Sequence, residues 1–269
     1  MKKRLDVILA ERNLFSSREK AKSAVMAGLI WVDGMRCDKA GTPVETTASI
    51  DIRGDLCPYV SRGGLKLEKA LQTFPFGFSD AVCMDIGAST GGFTDCMLQQ
   101  GAKKVYAVDV GYGQLDWKLR NDPRVVVMER VNVRYLDPHT VPERFDLITV
   151  DVSFISLKLI LPVATELLKE EGVCLCLVKP QFEAGREQVG KNGIVRDKEI
   201  HRSVLRSVVE YAGENGLSVE GVTYSPITGT KGNIEFLMLL QKDRENDPAV
   251  TDLLIDDTVD QAHESLDRR

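Results

Sequence analysis

The run Ala81–Val82–Cys83–Met84–Asp85–Ile86–Gly87–Ala88–Ser89–Thr90–Gly91–Gly92–Phe93–Thr94 decides how this chain must fold. An apolar segment of strand length stops at an acid, then crosses a glycine-rich turn into residues with helical periodicity. A nucleotide-type ligand is received in this way at the mouth of a parallel sheet. Gly87 lets backbone approach ligand with no Cβ in between, and Gly91 and Gly92 let the helix begin close against the strand. A dinucleotide fingerprint needs a glycine where Ser89 stands, so the turn is not built for a pyrophosphate. An acid beside a looser turn suits a cationic ligand without phosphates. S-adenosylmethionine has that chemistry, since its ammonium and sulfonium groups prefer carboxylates and carbonyls.

A second apolar run, Lys104–Val105–Tyr106–Ala107–Val108–Asp109, ends in another acid about twenty residues on, where a ribose diol needs a bidentate acceptor. Taken singly, Asp85 reads as a helix cap and Asp109 as a loop acid; their spacing favours a cofactor site. The candidate cofactor residues are Asp85, Gly87, Ser89, Thr90, Gly91, Gly92, Phe93, Asp109, Asn132 and Asp151. From Val82 onward strand and helix alternate as in a doubly wound sheet. Strands are expected near 82–86, 104–109, 124–128, 145–151, 173–178, 219–224 and 234–240, with helices near 92–100, 114–120, 156–169 and 198–215. Seven strands, the last two without a helix between them, fit a class I methyltransferase sheet, an α/β fold whose final strand inserts antiparallel. The polar stretch from Pro180 to Arg196, with Gly185, Gly190 and Gly193, is long enough to be a lid or binding loop.

With 269 residues, 43% of them hydrophobic, the chain can hold one sizeable α/β domain and a small module. No apolar run is long enough to span a bilayer, and Met1–Lys2–Lys3–Arg4–Leu5–Asp6 does not open a signal peptide, so a cytoplasmic protein is expected. Six cysteines without a Cys-x-x-Cys pair and three scattered histidines suggest neither a metal site nor a disulfide framework. The net charge of −5 hides a polarity along the chain. Residues 1–22 carry seven basic side chains against three acids, whereas 243–269 carry nine acids against three arginines. Three segments follow: a front module over 1–60, a catalytic domain over 61–242, and an acidic tail over 243–269 with no convincing helical stripe.

In the front module Ser16-x-x-Glu19 reads as a capping box that opens a helix closed by Gly28. Ile30–Trp31–Val32, Asp33–Gly34 and Met35–Arg36–Cys37 read as strand, type I′ turn and strand. Arg4, Arg18, Lys20, Lys22, Arg36 and Lys39 spread over these elements, and a compact fold gathers several of them on one side. The bland alternative is a solvated charged face. The layout, with Ser-Arg-Glu-Lys-Ala and Val-Asp-Gly, resembles the RNA-binding domain first known from ribosomal small-subunit protein S-four, which implies contact with RNA phosphates. Residues 54–60, bracketed by Gly and Pro, read as a linker.

Four polar residues interrupt apolar patterns. Asp151 and Lys179 each end a strand at the sheet's carboxyl edge, Glu235 breaks an apolar strand, and Lys66 lies on the helix before the first strand of the sheet. Singly, Lys66 is an exposed helix lysine and Glu235 an edge-strand gatekeeper. Together, two ammonium groups and two carboxylates are the economical way to bury charge and to take a proton from an attacking alcohol. Lys66, Asp151, Lys179 and Glu235 stand in the order of the Lys–Asp–Lys–Glu tetrad of FtsJ-like ribose 2′-O-methyltransferases, which the chain resembles. With the glycine turn, Ser61–Arg–Gly–Gly, Lys179–Pro–Gln–Phe–Glu183 and the front module, the resemblance spans nearly the whole chain and is close to the TlyA family, often labelled hemolysin A. That family implies an enzyme using S-adenosylmethionine to methylate cytidine 2′-hydroxyls of ribosomal RNA; a monomer or weak dimer is expected, with neither metal nor membrane as a partner. It also implies RNA contacts for Arg4, Arg18 and Lys39, and a signalling role for Cys57–Pro58–Tyr59–Val60, which departs from the Arg-Ala-Trp-Val of one branch.

Three alternatives fit less of the chain. A base methyltransferase is the nearest, because Asp151–Val152–Ser153–Phe154 echoes the motif that grips an exocyclic amine, but both its prolines are missing. Cytosine-5 methylation needs a nucleophilic cysteine, and Cys174 and Cys176 share one face of a buried strand. A membrane-active hemolysin would need a spanning segment or a barrel pattern, and neither is present in the sequence.

Overall fold

At the front, β1 (Lys2–Arg4) runs into α1 (Leu5–Glu11), followed by α2 (Arg18–Met26), β2 (Ile30–Val32), β3 (Met35–Cys37), β4 (Pro43–Glu45) and β5 (Ile50–Ile52). These elements form one of two compact units, Met1–Pro58 and Tyr59–Arg269, in a computed structural model that describes residues 1–15, 17–26, 28–53, 57–242 and 248–266. In the first unit Leu5, Ile8 and Leu9 of α1 pack with Ala21, Ala24 and Val25 of α2 and with Ile30 and Val32 of β2. β2 pairs antiparallel with β3 and β5, and β1 with β4. Asp33 and Gly34 have φ of +48° and +79°, both positive as a type I′ turn requires. Ser16 of the expected capping box lies outside the described residues; the cap that is seen is Ser17, whose Oγ accepts the Lys20 amide at 3.2 Å. Gly28, at φ +72°, closes α2.

The second unit begins inside the expected linker, of which residues 54–56 lie outside the described ones. The Tyr59 ring is buried over α3 (Gly63–Thr73), where a Cβ on Gly64 would stand 2.2 Å from it. Its hydroxyl donates to Glu68 Oε1 at 3.0 Å, and the Val60 amide donates to Asp95 Oδ2 at 2.9 Å. These two residues are therefore fixed parts of the fold and not free chain.

There follow β6 (Val82–Ile86), α4 (Gly92–Gln99), β7 (Lys104–Asp109), α5 (Trp117–Arg120), β8 (Val125–Glu129), β9 (Phe145–Val150), α6 (Leu161–Leu167) and β10 (Leu168–Val178). The unit continues through α7 (Pro180–Glu183), α8 (Lys198–Glu214), β11 (Leu217–Tyr224), β12 (Phe236–Lys242) and α9 (Pro248–Leu266). One seven-stranded sheet results, in the order β11-β12-β10-β9-β6-β7-β8, with β12 antiparallel to both neighbours and the rest of that ladder parallel. The α/β class and the antiparallel insertion are those expected. Parallel strands are covered on both faces, which is why Val105–Val108 of β7 and Val173–Val178 of β10 read as continuous apolar runs. The expected helix over 156–169 is shorter: a 3₁₀ turn at Leu157–Leu159 precedes α6, where Pro162 fixes the first turn.

The acidic tail differs from the reading of it. Residues 243–247 lie outside the described ones, but α9 is a docked helix whose Ile255, Val259, Ala262 and Leu266 join the core of the sheet. The stripe was hidden by acids that are themselves partnered. Asp252 and Asp256 meet Arg206 at 2.8 and 3.0 Å, and Asp260 meets Lys198 and Arg202 of α8 at 2.7 and 3.0 Å. Beneath them His201 Nδ1 and His263 Nε2 share a buried hydrogen bond of 2.9 Å. The long stretch after Lys179 is likewise ordered: it forms α7 and two 3₁₀ turns, and Asn233 ties it down through the Val195 amide (3.0 Å) and the Gly193 carbonyl (2.9 Å).

Candidate active site

The sheet's carboxyl rim is drawn together at Gly87. With φ of +88°, it lies so close to the end of β9 that a Cβ would stand 2.4 Å from the Asp151 carbonyl oxygen. Ser89, at φ +49°, donates its amide to Asp109 Oδ2 at 2.8 Å, while Asp109 Oδ1 accepts the Gly111 amide at 2.7 Å. Asp109 thus shapes the turn with one lone pair from each oxygen and has another left on each. Asp85 is fully buried at the end of β6; Oδ2 accepts the Thr94 amide (3.0 Å) and hydroxyl (2.7 Å), and Oδ1 accepts the Thr149 hydroxyl (3.1 Å). Burial pushes its carboxyl up to about 7, the threonine bonds oppose this, and the charge of Asp151 adds to it.

A cavity of about 370 Å³ opens above this rim. Asp85, Gly87, Ser89, Thr90, Gly92, Phe93 and Asp151, all among the expected cofactor residues, line it. Three expected cofactor residues are not on its wall. Asp109 is tied into the turn by the Ser89 and Gly111 amides; Gly91, at φ +94°, faces Leu115 and Leu119, where a Cβ would meet Leu119 at 2.2 Å. Asn132 is exposed and caps a 3₁₀ turn by accepting the Arg134 amide at 3.2 Å. The wall also includes residues the sequence reading left out: Ser61, Arg62 and Gly63 at the start of α3, Ala88, and Ile227, Thr228 and Gly229 ahead of β12. The signal for the first group was the Ser61–Arg–Gly–Gly run itself. A Cβ on Gly92 would come within 2.9 Å of the Gly64 amide nitrogen, so paired glycines let α3 and α4 touch.

The four interrupting residues form two ion pairs at this cavity. Lys66 Nζ lies 2.6 Å from Glu235 Oε2, and Lys179 Nζ lies 2.5 Å from Asp151 Oδ1 while donating to Ser153 Oγ at 2.9 Å. Lys66 and Asp151 line the cavity directly, and each carries its partner with it. The lysine side chains are only 12% and 10% exposed, a depth at which an unpaired ammonium would cost several kcal/mol. Gly229 leaves room for the Glu235 carboxylate, since a Cβ there would be 1.9 Å from Oε1. Beside Lys179, Phe154 is 90% exposed at φ +64° with its ring centroid 4.9 Å from that of Phe182. Glu183 holds this turn by accepting the Ser156 hydroxyl at 2.6 Å and the Leu157 amide at 2.8 Å, and burial pushes its carboxyl up. Cys174 and Cys176 are fully buried inside the sheet with sulfurs 3.6 Å apart.

In the first unit Arg4, Arg18, Lys20, Lys22, Arg36 and Lys39 are all exposed. The Arg36 guanidinium lies over Gly28, where a Cβ would be 1.9 Å from Nη2. Arg4 and Arg18 both bond Asp6, whose side chain is buried.

The chain matches the FtsJ-like methyltransferase family over residues 59–242 and the S4 domain over residues 3–50. It is 55% identical over 240 residues to YqxC of Bacillus subtilis (strain 168), described as a candidate rRNA methyltransferase, spanning 89% of this chain and 85% of that one. It is 41% identical over 260 residues to the 16S/23S rRNA (cytidine-2′-O)-methyltransferase TlyA of Mycobacterium tuberculosis (strain ATCC 25618 / H37Rv), with 96% of each chain covered. A solved structure from Streptococcus thermophilus, described as a candidate hemolysin, matches with a TM-score of 0.79 at 49% identity, over 99% of this chain and 98% of that one. With a glycine turn, two lysine–carboxylate pairs and an S4 domain ahead of them, the chain belongs to the FtsJ-like methyltransferase family.

Proposed function

We propose that this protein transfers the methyl group of S-adenosylmethionine to a ribose 2′-hydroxyl of cytidine in ribosomal RNA, in the cytoplasm, with the first unit gripping the RNA. The observation that carries the reading is the pair of buried lysine–carboxylate contacts at one cavity, Lys66–Glu235 and Lys179–Asp151. The nucleotide and its ribosomal context come from relatives named as rRNA (cytidine-2′-O)-methyltransferases.

The residues on the rim suit the cofactor. The glycine turn offers close backbone approach, Asp85 and Asp151 offer negative charge to an ammonium and a sulfonium, and Asp109 keeps lone pairs for a ribose diol. When bound, S-adenosylmethionine supplies a methyl group activated by positive sulfur. The chain must then hold an alcohol in line with that carbon and remove its proton. In our reading the 2′-hydroxyl sits against Lys179 Nζ, and its proton passes to that nitrogen as Lys179 yields one to Asp151 Oδ1 along their 2.5 Å contact. Lys66, held by Glu235, fixes the opposite side of the alcohol. The exposed Phe154 ring, backed by Phe182, offers a face on which the base of an unstacked nucleotide can rest. The amine-gripping alternative explains neither lysine, and Ser153 is engaged by Lys179. Among the described residues no helix is long and apolar enough to cross a membrane.

Mapping 2′-O-methyl groups in ribosomal RNA from cells with and without the protein tests the reading. One or more cytidine sites should vanish with the gene and return with the wild-type chain but not with Lys179→Ala. An unchanged ribose methylation map would overturn it.

A further inference from the structure

The RNA face of the first unit contains an arrangement that its charge count does not suggest. Asp6 is 2% exposed on the inner side of α1, yet two surface arginines reach it. Arg4 holds it with two bonds, Nε to Oδ1 at 3.0 Å and Nη2 to Oδ2 at 2.9 Å, and Arg18 Nε joins at the same Oδ2 at 2.9 Å. The Val7 amide donates to Oδ1 at 3.0 Å. Because Arg4 and Arg18 share Oδ2, their bonded nitrogens lie no further apart than two hydrogen bonds end to end. The hydrogen bond from Arg4 leads the effects that hold the Asp6 carboxyl down at about 2, against its burial. The acid is therefore ionised throughout the neutral range, and two guanidinium groups minus one carboxylate leave one positive charge. Both arginine side chains remain about half exposed, at 53% and 52%, and their other N–H groups have no partner among the described residues.

We propose that Asp6 is a positioning residue which joins Arg4 and Arg18 into one preformed site for a single RNA phosphate. A free arginine loses rotamer freedom when it binds; here that loss is already met in the folded protein, and the second fork of each guanidinium stays free for a phosphodiester. This rests on the reading that the first unit grips RNA. It adds that the two arginines act as one unit and that a negative residue strengthens binding to a polyanion.

The experiment is binding of the full-length protein to unmodified, transcribed ribosomal RNA across a salt series. Asp6→Asn removes a negative charge and turns an amide nitrogen toward the guanidinium donors. Charge alone predicts tighter binding; positioning predicts weaker binding by about tenfold. Arg4→Gln, Arg18→Gln and the double variant should each lower the slope of log K against log salt by about one phosphate, the double by no more than either single. The proposal is overturned if Asp6→Asn binds equally or more tightly, or if the double variant loses twice the slope of the singles. Should Asp6→Asn fail to fold by circular dichroism, the arginine series decides alone. Lys39→Ala separates the two layers. If it weakens binding while the arginine series is additive, only the shared site fails. If it and all the arginine variants bind as wild type, the RNA-gripping reading fails with it.

Discussion

The two units treat positive charge in opposite ways. In the second, Lys66 and Lys179 each meet a carboxylate of their own and sink to about one-tenth exposure. In the first, Arg4 and Arg18 divide one carboxylate between them and stay half exposed. The ratio of acid to base decides the outcome. One acid per cation gives a neutral pair that can be buried when its geometry is good. One acid for two cations leaves a net charge that must stay in water, where it attracts phosphate. The buried pairs can surround a hydroxyl without collecting stray anions, and the exposed pair is suited to collecting them.

Removing one buried cation should produce the largest effect. Lys179→Ala is expected to lower methyl transfer by about 10²- to 10⁴-fold, measured with tritiated cofactor, while RNA retention on a filter stays at the wild-type level. Equal loss of both would mean that Lys179 supports the fold and not the chemistry. The next effect comes from disturbing the other pair without touching a charge. Gly229→Ala places a Cβ where the Glu235 carboxylate now sits, and displacing Glu235 pulls Lys66 out of line. A misplacement of this kind costs about a hundredfold in kcat. Wild-type kcat in Gly229→Ala would show that the Lys66–Glu235 contact is incidental.

Three of the four paired residues were legible in the sequence because they broke an apolar pattern: Asp151 and Lys179 at strand ends, and Glu235, which interrupts an apolar run and stands immediately before β12; Lys66, off the apolar stripe of its helix, carried no such signal. The sheet was legible for a related reason, since strands buried on both faces are written as unbroken apolar runs. Asp6 was not, because an acid in the first turn of a helix is ordinary in sequence, and only the fold shows that it points inward with two arginines on it. The helix over 248–266 was missed for the converse reason. Its acids look like a solvated tail until Lys198, Arg202 and Arg206 are seen opposite them on α8, contacts that span 46 or more positions of sequence. The wall residues Ile227 to Gly229 carry no chemistry of their own and reach the cavity only because β12 inserts between β10 and β11.

Asp85 gives a smaller effect that depends on pH. Burial raises its carboxyl from an ordinary 3.8 to about 7, so the folded protein holds a proton that the unfolded chain releases between those values. The stability contributed by the protonated form is present below the unfolded value and is lost as pH rises through about 7. A cationic ligand has the opposite preference, favouring the carboxylate. Binding of S-adenosylmethionine should therefore release a proton below pH 7 and weaken by about tenfold from pH 8 to pH 6, as read by calorimetry in two buffers of different ionisation enthalpy. Asp85→Asn should bind less tightly and with no such pH dependence. A pH dependence that survives the substitution would assign the titration to another group.

The smallest effect belongs to an exposed cation that has no carboxylate partner among the described residues. Lys39 lies on the same unit as the arginine pair, and nothing buried holds it in place. A lysine of this kind attracts phosphate as a mobile point charge, and fixing its long side chain on binding offsets much of the Coulomb gain. Lys39→Ala should therefore weaken RNA binding only a few-fold and lower the salt slope by at most about one. At high salt, where a point contact is screened, the difference from wild type should fade. Contacts made by a preformed guanidinium site depend on geometry as well as charge, so Arg4→Gln should still differ from wild type under the same conditions. If both substitutions fade together with salt, the distinction between a held cation and a free one does not govern how this surface meets RNA.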